Sequence, residues 1–337
     1  MSLPFSEKIN SVSDPLPFSV GIEIEFAKSD VTSLTRATYR GVKFPVPTLS
    51  NWKLKTDSSC GYEAVSPVFR SADTLISNVR HLCAVLKSNR TAISDACGIH
   101  VHFGTCWDSI DAERLNNMFR FFLRYENGFY ALAKPSRKES YYCNSLPDEV
   151  TKKLQEGKGF SAWNNNSSRL RYTWLNGAAK KRHGTLEVRV SESHLRADDI
   201  LGLVFFYSHV LENLLTRPDP VKVRGTSRST SHRAAVCVHD IFTKTNSYGK
   251  ELCTDASRAT IAKEWARWKY AFIHGKSYRR EMAEHSSKVK TLNELRDKKE
   301  KIKADLKKLD HERLELSHAL NDIAYQEHEL SRTTNAS

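Results

Sequence analysis

No run of the 337 residues approaches the about 18 consecutive apolar residues that a membrane-spanning helix requires. The first residues, Met1-Ser2-Leu3-Pro4-Phe5-Ser6-Glu7-Lys8, lack the basic-then-apolar layout of a secretion signal. Cysteine is sparse and unpatterned: seven residues (Cys60, Cys83, Cys97, Cys106, Cys143, Cys237, Cys253), odd in number and widely spaced, include no Cys-x-x-Cys. That excludes a disulfide framework and a thiolate zinc knuckle, and the cysteines read as reduced. A Gly-rich phosphate loop is also missing. What remains is a chain that is 39% hydrophobic, enough for a sizeable core, in one large domain or two ordinary ones. The expectation is a folded, soluble, cytoplasmic protein.

Acidic residues are the scarcer charge, at 39 Asp and Glu against 52 Lys and Arg, for a net of +13. Such an excess suits an anionic partner: nucleic acid, nucleotide or membrane surface. Residues 276–337 hold 14 basic and 12 acidic residues, so nearly all of the excess lies in the preceding body. Part of it falls in a poorly periodic tract over residues 218–246, with Lys222, Arg224, Arg228 and Arg233, which reads as a surface loop.

Helical spacing is plain over Ala72 to Lys87, over Asp111 to Ala133, over Asp198 to Leu215 and near Thr260–Ile273, where Trp265, Trp268 and Phe272 are placed to dock on the body. Short strands alternate with these helices and look apolar on one face only. An α+β fold with an antiparallel sheet is therefore predicted, in preference to a doubly wound parallel one.

From Leu292 the pattern changes to strict sevens. With Leu292 at heptad position a, the d positions are Leu295, Ile302, Leu309, Leu316, Ile323 and Leu330, while Leu306 and Leu320 fall at a. Residues 285–332 are thus expected to form a coiled coil that follows a folded domain over residues 1–275. The other a positions, Lys299, Arg313 and Glu327, are charged and weaken the seam. One such helix cannot bury its own seam, so a homo-oligomer is expected.

Three segments carry one design: Ile22-Glu23-Ile24-Glu25-Phe26, Ile99-His100-Val101-His102-Phe103 and Leu186-Glu187-Val188-Arg189-Val190. On a β-strand such alternation sends the ionisable side chains to one face. In a single half-exposed strand this is ordinary. If the three strands are neighbours, however, one face holds a cluster that persists mainly when paired or bound to metal, because isolated buried charges cost several kcal/mol each. Glu23, Glu25, Glu63 and Glu187 offer oxygen donors and His100 a nitrogen, which favours magnesium or manganese; zinc is the competing metal. Arg171 and Arg189 suit the oxygens of a polyphosphate. The chemistry read from the residues is metal-dependent phosphoryl transfer, with no substrate named.

The order of motifs adds a resemblance. Gly21-Ile22-Glu23-Ile24-Glu25-Phe26, then Asp57-x-Ser59 with Glu63-x-Val65-Ser66-Pro67, then Cys97-Gly98-Ile99-His100-Val101-His102, then Arg171-Tyr172 and Asn176 before Thr185-Leu186-Glu187-Val188-Arg189, together resemble the amidoligase family of carboxylate–amine ligases. The likeness covers residues 18–215. It implies a curved, glutamine-synthetase-like antiparallel sheet and an ATP- and Mg-dependent enzyme that forms an amide through an acyl phosphate. On the same resemblance, Glu23, His100 and Glu187 bind one cation and Glu25 and Glu63 the other. His102 and Arg189 meet ATP phosphates, Arg171 and Asn176 line the phosphate or carboxylate site, and Asp57 is the candidate base by location. The departures are the basic run Lys180-Lys181-Arg182 and His183 ahead of the third strand. The other readings are a nucleic-acid-binding or nucleobase-modifying protein, which the net charge favours, a metal-dependent hydrolase, and a scaffold built around the coiled coil. The carboxylate donor and amine acceptor stay unidentified.

Overall fold

The computed structural model describes residues 3–12, 14–156, 171–215, 241, 256–275, 287, 290–311, 313, 316–317 and 320. All of the basic tract over residues 218–246 except Ile241, together with Ile323, Glu327 and Leu330 of the heptad pattern, lies outside them. Contacts divide the chain into two units, Met1–Tyr278 and Arg279–Ser337.

The first unit is built on seven strands: β1 (Ser19–Phe26), β2 (Val42–Lys43), β3 (Lys53–Asp57), β4 (Gly61–Val65), β5 (Gly98–Gly104), β6 (Leu175–Asn176) and β7 (Thr185–Glu192). They form one sheet in the order β2-β3-β4-β1-β5-β7-β6, antiparallel at every pairing. Mixed helices and an antiparallel sheet are what the alternating pattern predicts. The three patterned segments are adjacent, as β1, β5 and β7. Their apolar residues align in cross-strand rows, Val20 with Phe103 and Leu186, and Ile22 with Val101 and Val188, all essentially inaccessible. Because side chains alternate with a period of two, this row fixes Glu23, Glu25, His100, His102 and Glu187 on the opposite face.

The main helices are α1 (Ala72–Ser88), α2 (Ala112–Arg124), α3 (Ala179–His183), α4 (Ala197–Leu215) and α5 (Ala256–His274). The helix expected from Asp111 to Ala133 is broken at Tyr125, whose φ of −100° and ψ of 15° leave helical geometry. A separate turn, Glu126–Tyr130, then sets Phe129 in a stack against Trp174, centroids 5.0 Å apart. Packing across the chain decides this break, and spacing along it cannot show it. Helix α4 is buried on every side from Asp199 to Leu215, with α1, α2 and α5 packed around it. Its Asp199 accepts hydrogen bonds from Trp265 Nε1 at 2.7 Å and Lys269 Nζ at 3.2 Å, and Lys269 also pairs with Glu192 at 2.8 Å. Those bonds fasten α5 to α4 and to the end of β7. Among the described residues no helix is long and apolar enough to cross a membrane.

In the second unit, residues 290–311 are helical. Leu292, Leu295, Ile302, Leu306, Leu309, Leu316 and Leu320, the apolar a and d positions described, are all exposed.

Helix α4 gives a direct test of its packing. Replacing Gly by Ala inside a helix ordinarily stabilises by about 1 kcal/mol. At Gly202, however, an added Cβ would overlap Trp265 Cδ1, fall 2.7 Å from its Cγ and lie 3.0 Å from Phe5 Cε2. Overpacking a buried indole outweighs propensity, so Gly202→Ala should destabilise the protein by about 1–3 kcal/mol, read as a lower urea midpoint. A raised midpoint would mean that α5 does not seat on α4 as described.

Candidate functional site

The register of the sheet builds the site. Glu23 pairs directly with His100, and the row Asn176–Glu187–His102–Gly21 crosses β6, β7, β5 and β1. A second row, Lys55–Glu63–Glu25, crosses β3, β4 and β1. Between Ile99 and Val101 the β5–β7 register shifts, so that Arg189 and Val190 both stand opposite His100. This bulge turns β7 locally and re-aims Arg189. It is held from behind by Arg137, fully buried, whose Nη2 donates to Arg189 O at 2.8 Å. The same guanidinium occupies the space beside Gly98 where a side chain would sit, which is why Gly precedes the His-x-His strand.

His100 is the hub. Its Nδ1 lies 3.1 Å from Glu23 Oε2 and 3.4 Å from Glu187 Oε1, and its Nε2 lies 3.3 Å from Glu25 Oε1. Donor atoms of Glu23, His100 and Glu187 all fall within 4.8 Å of one another. Two carboxylates and an imidazole at that spacing suit a divalent cation. A second group within the same distance comprises Glu25, Asp57 and Cys60, whose thiol is a softer donor than the oxygens expected from sequence. Glu63 belongs to neither group. Its carboxylate pairs with Lys55 Nζ at 3.0 Å instead, and Glu25 also accepts the Gly98 N–H at 2.5 Å.

Burial pushes the Glu23 carboxyl up, but the imidazoles of His100 and His102 outweigh it and hold the pKa well below the usual carboxylate range. Glu187 is also lowered, its burial overcome chiefly by Arg189 and His102. Glu63 moves the other way, raised by burial and by the neighbouring Glu23 charge. His102 is raised despite its burial, through Glu23 and Glu187. Its Nε2 stands 3.8 Å from Glu23 Oε1, close enough for ion pairing and too long for a hydrogen bond, while its Nδ1 meets Thr185 Oγ1 at 3.0 Å.

Among the described residues, three buried polar atoms at the site have no hydrogen-bond partner: His102 Nε2, Asn176 Oδ1 and Arg189 Nε. Orphaned groups of this kind are costly unless a ligand satisfies them. Asn176 Nδ2 donates to Glu187 Oε2 at 2.6 Å, fixing that carboxylate, and Arg189 Nη1 donates to Arg171 O at 3.0 Å. These residues, with Lys55, Asp57, Glu63, Arg171, Arg182 and His183, line a cleft of about 210 Å³. Asp57 Oδ1 is occupied in capping the β3–β4 turn, accepting from Ser59 N at 2.7 Å and Cys60 N at 3.2 Å. Burial opposes but these bonds lower its pKa, which makes it a weak proton acceptor.

Lys55, Arg182 and His183 line the cleft without having been singled out as site residues. Lys55 had a usable signal, since it alternates with Lys53 on a strand that leads into the Asp57 turn. Arg137 had none, because its role depends on contacts distant in sequence.

The sequence profile of a family described as "Putative amidoligase enzyme" matches residues 16–210, more than half of the chain. A search of curated proteins found no match. Among solved structures the chain is similar to one titled as the complex between prokaryotic ubiquitin-like protein Pup and its ligase PafA, at 14% identity and a TM-score of 0.41. The match covers 79% of this chain and 66% of that one, just under two-thirds of its length.

The charges at this face set a pH dependence. The stability contributed by a protonated His102 is complete below the ordinary 6.5 and is lost as pH rises through the raised folded value; that contributed by Glu23 and Glu187 is lost as pH falls through their depressed values. Without added metal, the urea midpoint should therefore decline as pH rises above 6.5. His102→Asn should flatten that decline. An unchanged slope in the variant would show that His102 carries no such proton.

Proposed function

The chain belongs to the amidoligase family, and on that premise we propose that it is an ATP- and Mg-dependent carboxylate–amine ligase that works through an acyl phosphate, on a glutamine-synthetase-like sheet. The observation that carries this reading is the Glu23–His100–Glu187 grouping, beside polar atoms of His102, Asn176 and Arg189 that make no hydrogen bond among the described residues. The donor set fits a magnesium ion, with manganese as an equivalent.

Glu23, His100 and Glu187 would hold one cation. Glu25 and Glu63 would hold a second, with Glu63 giving up its ion pair to Lys55. When bound, such ions neutralise charge on a transferring phosphoryl group. A carboxylate is too poor an electrophile to react with an amine, so its activation requires the γ-phosphoryl group of ATP. Arg189 and Arg171 would bind phosphate oxygens, and His102 Nε2 would donate a proton to another. Asn176 holds Glu187 in its ligating orientation. The aligned acyl phosphate then meets the amine in the cleft, from which water must be kept. The products are an amide, ADP and phosphate. The proposal extends to a cytoplasmic protein of two parts, a catalytic domain over residues 1–275 and a coiled coil over residues 285–332, with unidentified carboxylate and amine substrates.

Supplying hydroxylamine as a surrogate amine, with ATP, Mg2+ and a pool of carboxylate donors, should yield a hydroxamate. Glu187→Ala should lower that yield per unit time by more than about a hundredfold. The far-ultraviolet dichroism should be unchanged, since no core cavity opens, while the urea midpoint falls because Asn176 and Arg189 lose a buried partner. A metal-dependent ATPase that gave no hydroxamate with any donor would contradict the ligase reading.

A further inference from the structure

The C-terminal helix leaves its apolar seam in water. Leu292, Leu295, Ile302, Leu306, Leu309, Leu316 and Leu320 are each more than half exposed, and they recur at the a and d positions of one heptad register. Their spacing calls for a second helix of the same period. The charges beside the seam say what that helix is and which way it runs.

Position e carries Arg296, Lys303 and Asp310 in order, and position g carries Lys298, Asp305 and Glu312. Both rows begin basic and end acidic. Laid parallel and in register against its own copy, the helix would set Lys298 against Lys303 of the partner subunit and Asp305 against Asp310 of the partner subunit. Lys299 and Arg313, both at a, would face Lys299 of the partner subunit and Arg313 of the partner subunit across the seam itself. Every one of these contacts is repulsive, and charges at the core are the most costly of them.

Reversing one helix relieves most of the conflict and leaves like charges opposed only at the two-fold centre, where Lys303 meets Lys303 of the partner subunit and Asp305 meets Asp305 of the partner subunit. In an antiparallel pair each a residue meets a d residue, so Lys299 and Arg313 pack their stems beside Leu or Ile and extend their charged ends outward. The flanking contacts become e against e and g against g, and the basic starts of both rows then run alongside the acidic ends of the partner's rows. We infer that this surface is the interface for a second copy of the same chain, bound as an antiparallel two-stranded coiled coil. A different protein would need its own gradient of charge to match, whereas this sequence complements itself. The inference does not rest on the ligase reading and would stand if that reading failed.

Size-exclusion chromatography with light scattering on the full-length protein at tens of micromolar gives the mass, and a spin label gives the direction. The label is placed at exposed Lys290 through a ketone-bearing amino acid, which avoids the native cysteines, and the distance to its copy is read by double electron–electron resonance. A dimer mass is expected, with labels more than about 40 Å apart given a rise of 1.5 Å per residue. Leu306→Glu should return the monomer mass while the far-ultraviolet dichroism of the body persists. A separation under about 20 Å would overturn the antiparallel arrangement. A monomer or tetramer mass for the full-length protein would overturn the pairing itself.

Discussion

Cross-strand register is the constraint on which this structure depends. Val20, Phe103 and Leu186 lie in one row, Ile22, Val101 and Val188 in the next, and burying both rows fixes β1, β5 and β7 relative to one another. A slip of one residue would send Glu23, Glu25, His100, His102 and Glu187 into the core and the apolar rows into the cleft. Hydrophobic burial of about 25 cal/mol per Å² therefore holds together charges that, left to themselves, would separate. The site is assembled by the opposite face of the sheet.

That assembly has an electrostatic cost that the neighbouring protein groups relieve only in part. Glu23, Glu25 and Glu187 converge on one imidazole, and burial together with the nearby Glu23 charge pushes Glu63 toward its protonated form. Lys55, Arg189 and His102 offset the carboxylates, yet among the described residues His102 Nε2, Asn176 Oδ1 and Arg189 Nε make no hydrogen bond. The β7 bulge has the same logic, since Arg137 is fully buried to hold the backbone that turns Arg189 toward the cleft.

Much of this was legible in the sequence because it is periodic. Alternation in three segments gave the strands and the face of each ionisable residue, and 3.6-residue spacing gave the helices, including α4. What was hidden is what depends on distant contacts. The break at Tyr125 follows from where Phe129 must pack, and the all-round burial of α4 follows from α5 closing over it. Asp57 looked like a base by its place in the motif, but its turn-capping bonds are a matter of local geometry that spacing does not reveal. The same holds for Glu63, whose pairing with Lys55 needs β3 and β4 to be neighbours.

The central claim is that the polar face of β1, β5 and β7 takes a divalent cation and ATP together. Isothermal titration of ATP into the metal-free protein, with and without Mg2+, tests it most directly. Binding that requires Mg2+ and disappears in Glu23→Ala is the result predicted. Equal affinity with and without the metal, or undiminished binding in that variant, would contradict it.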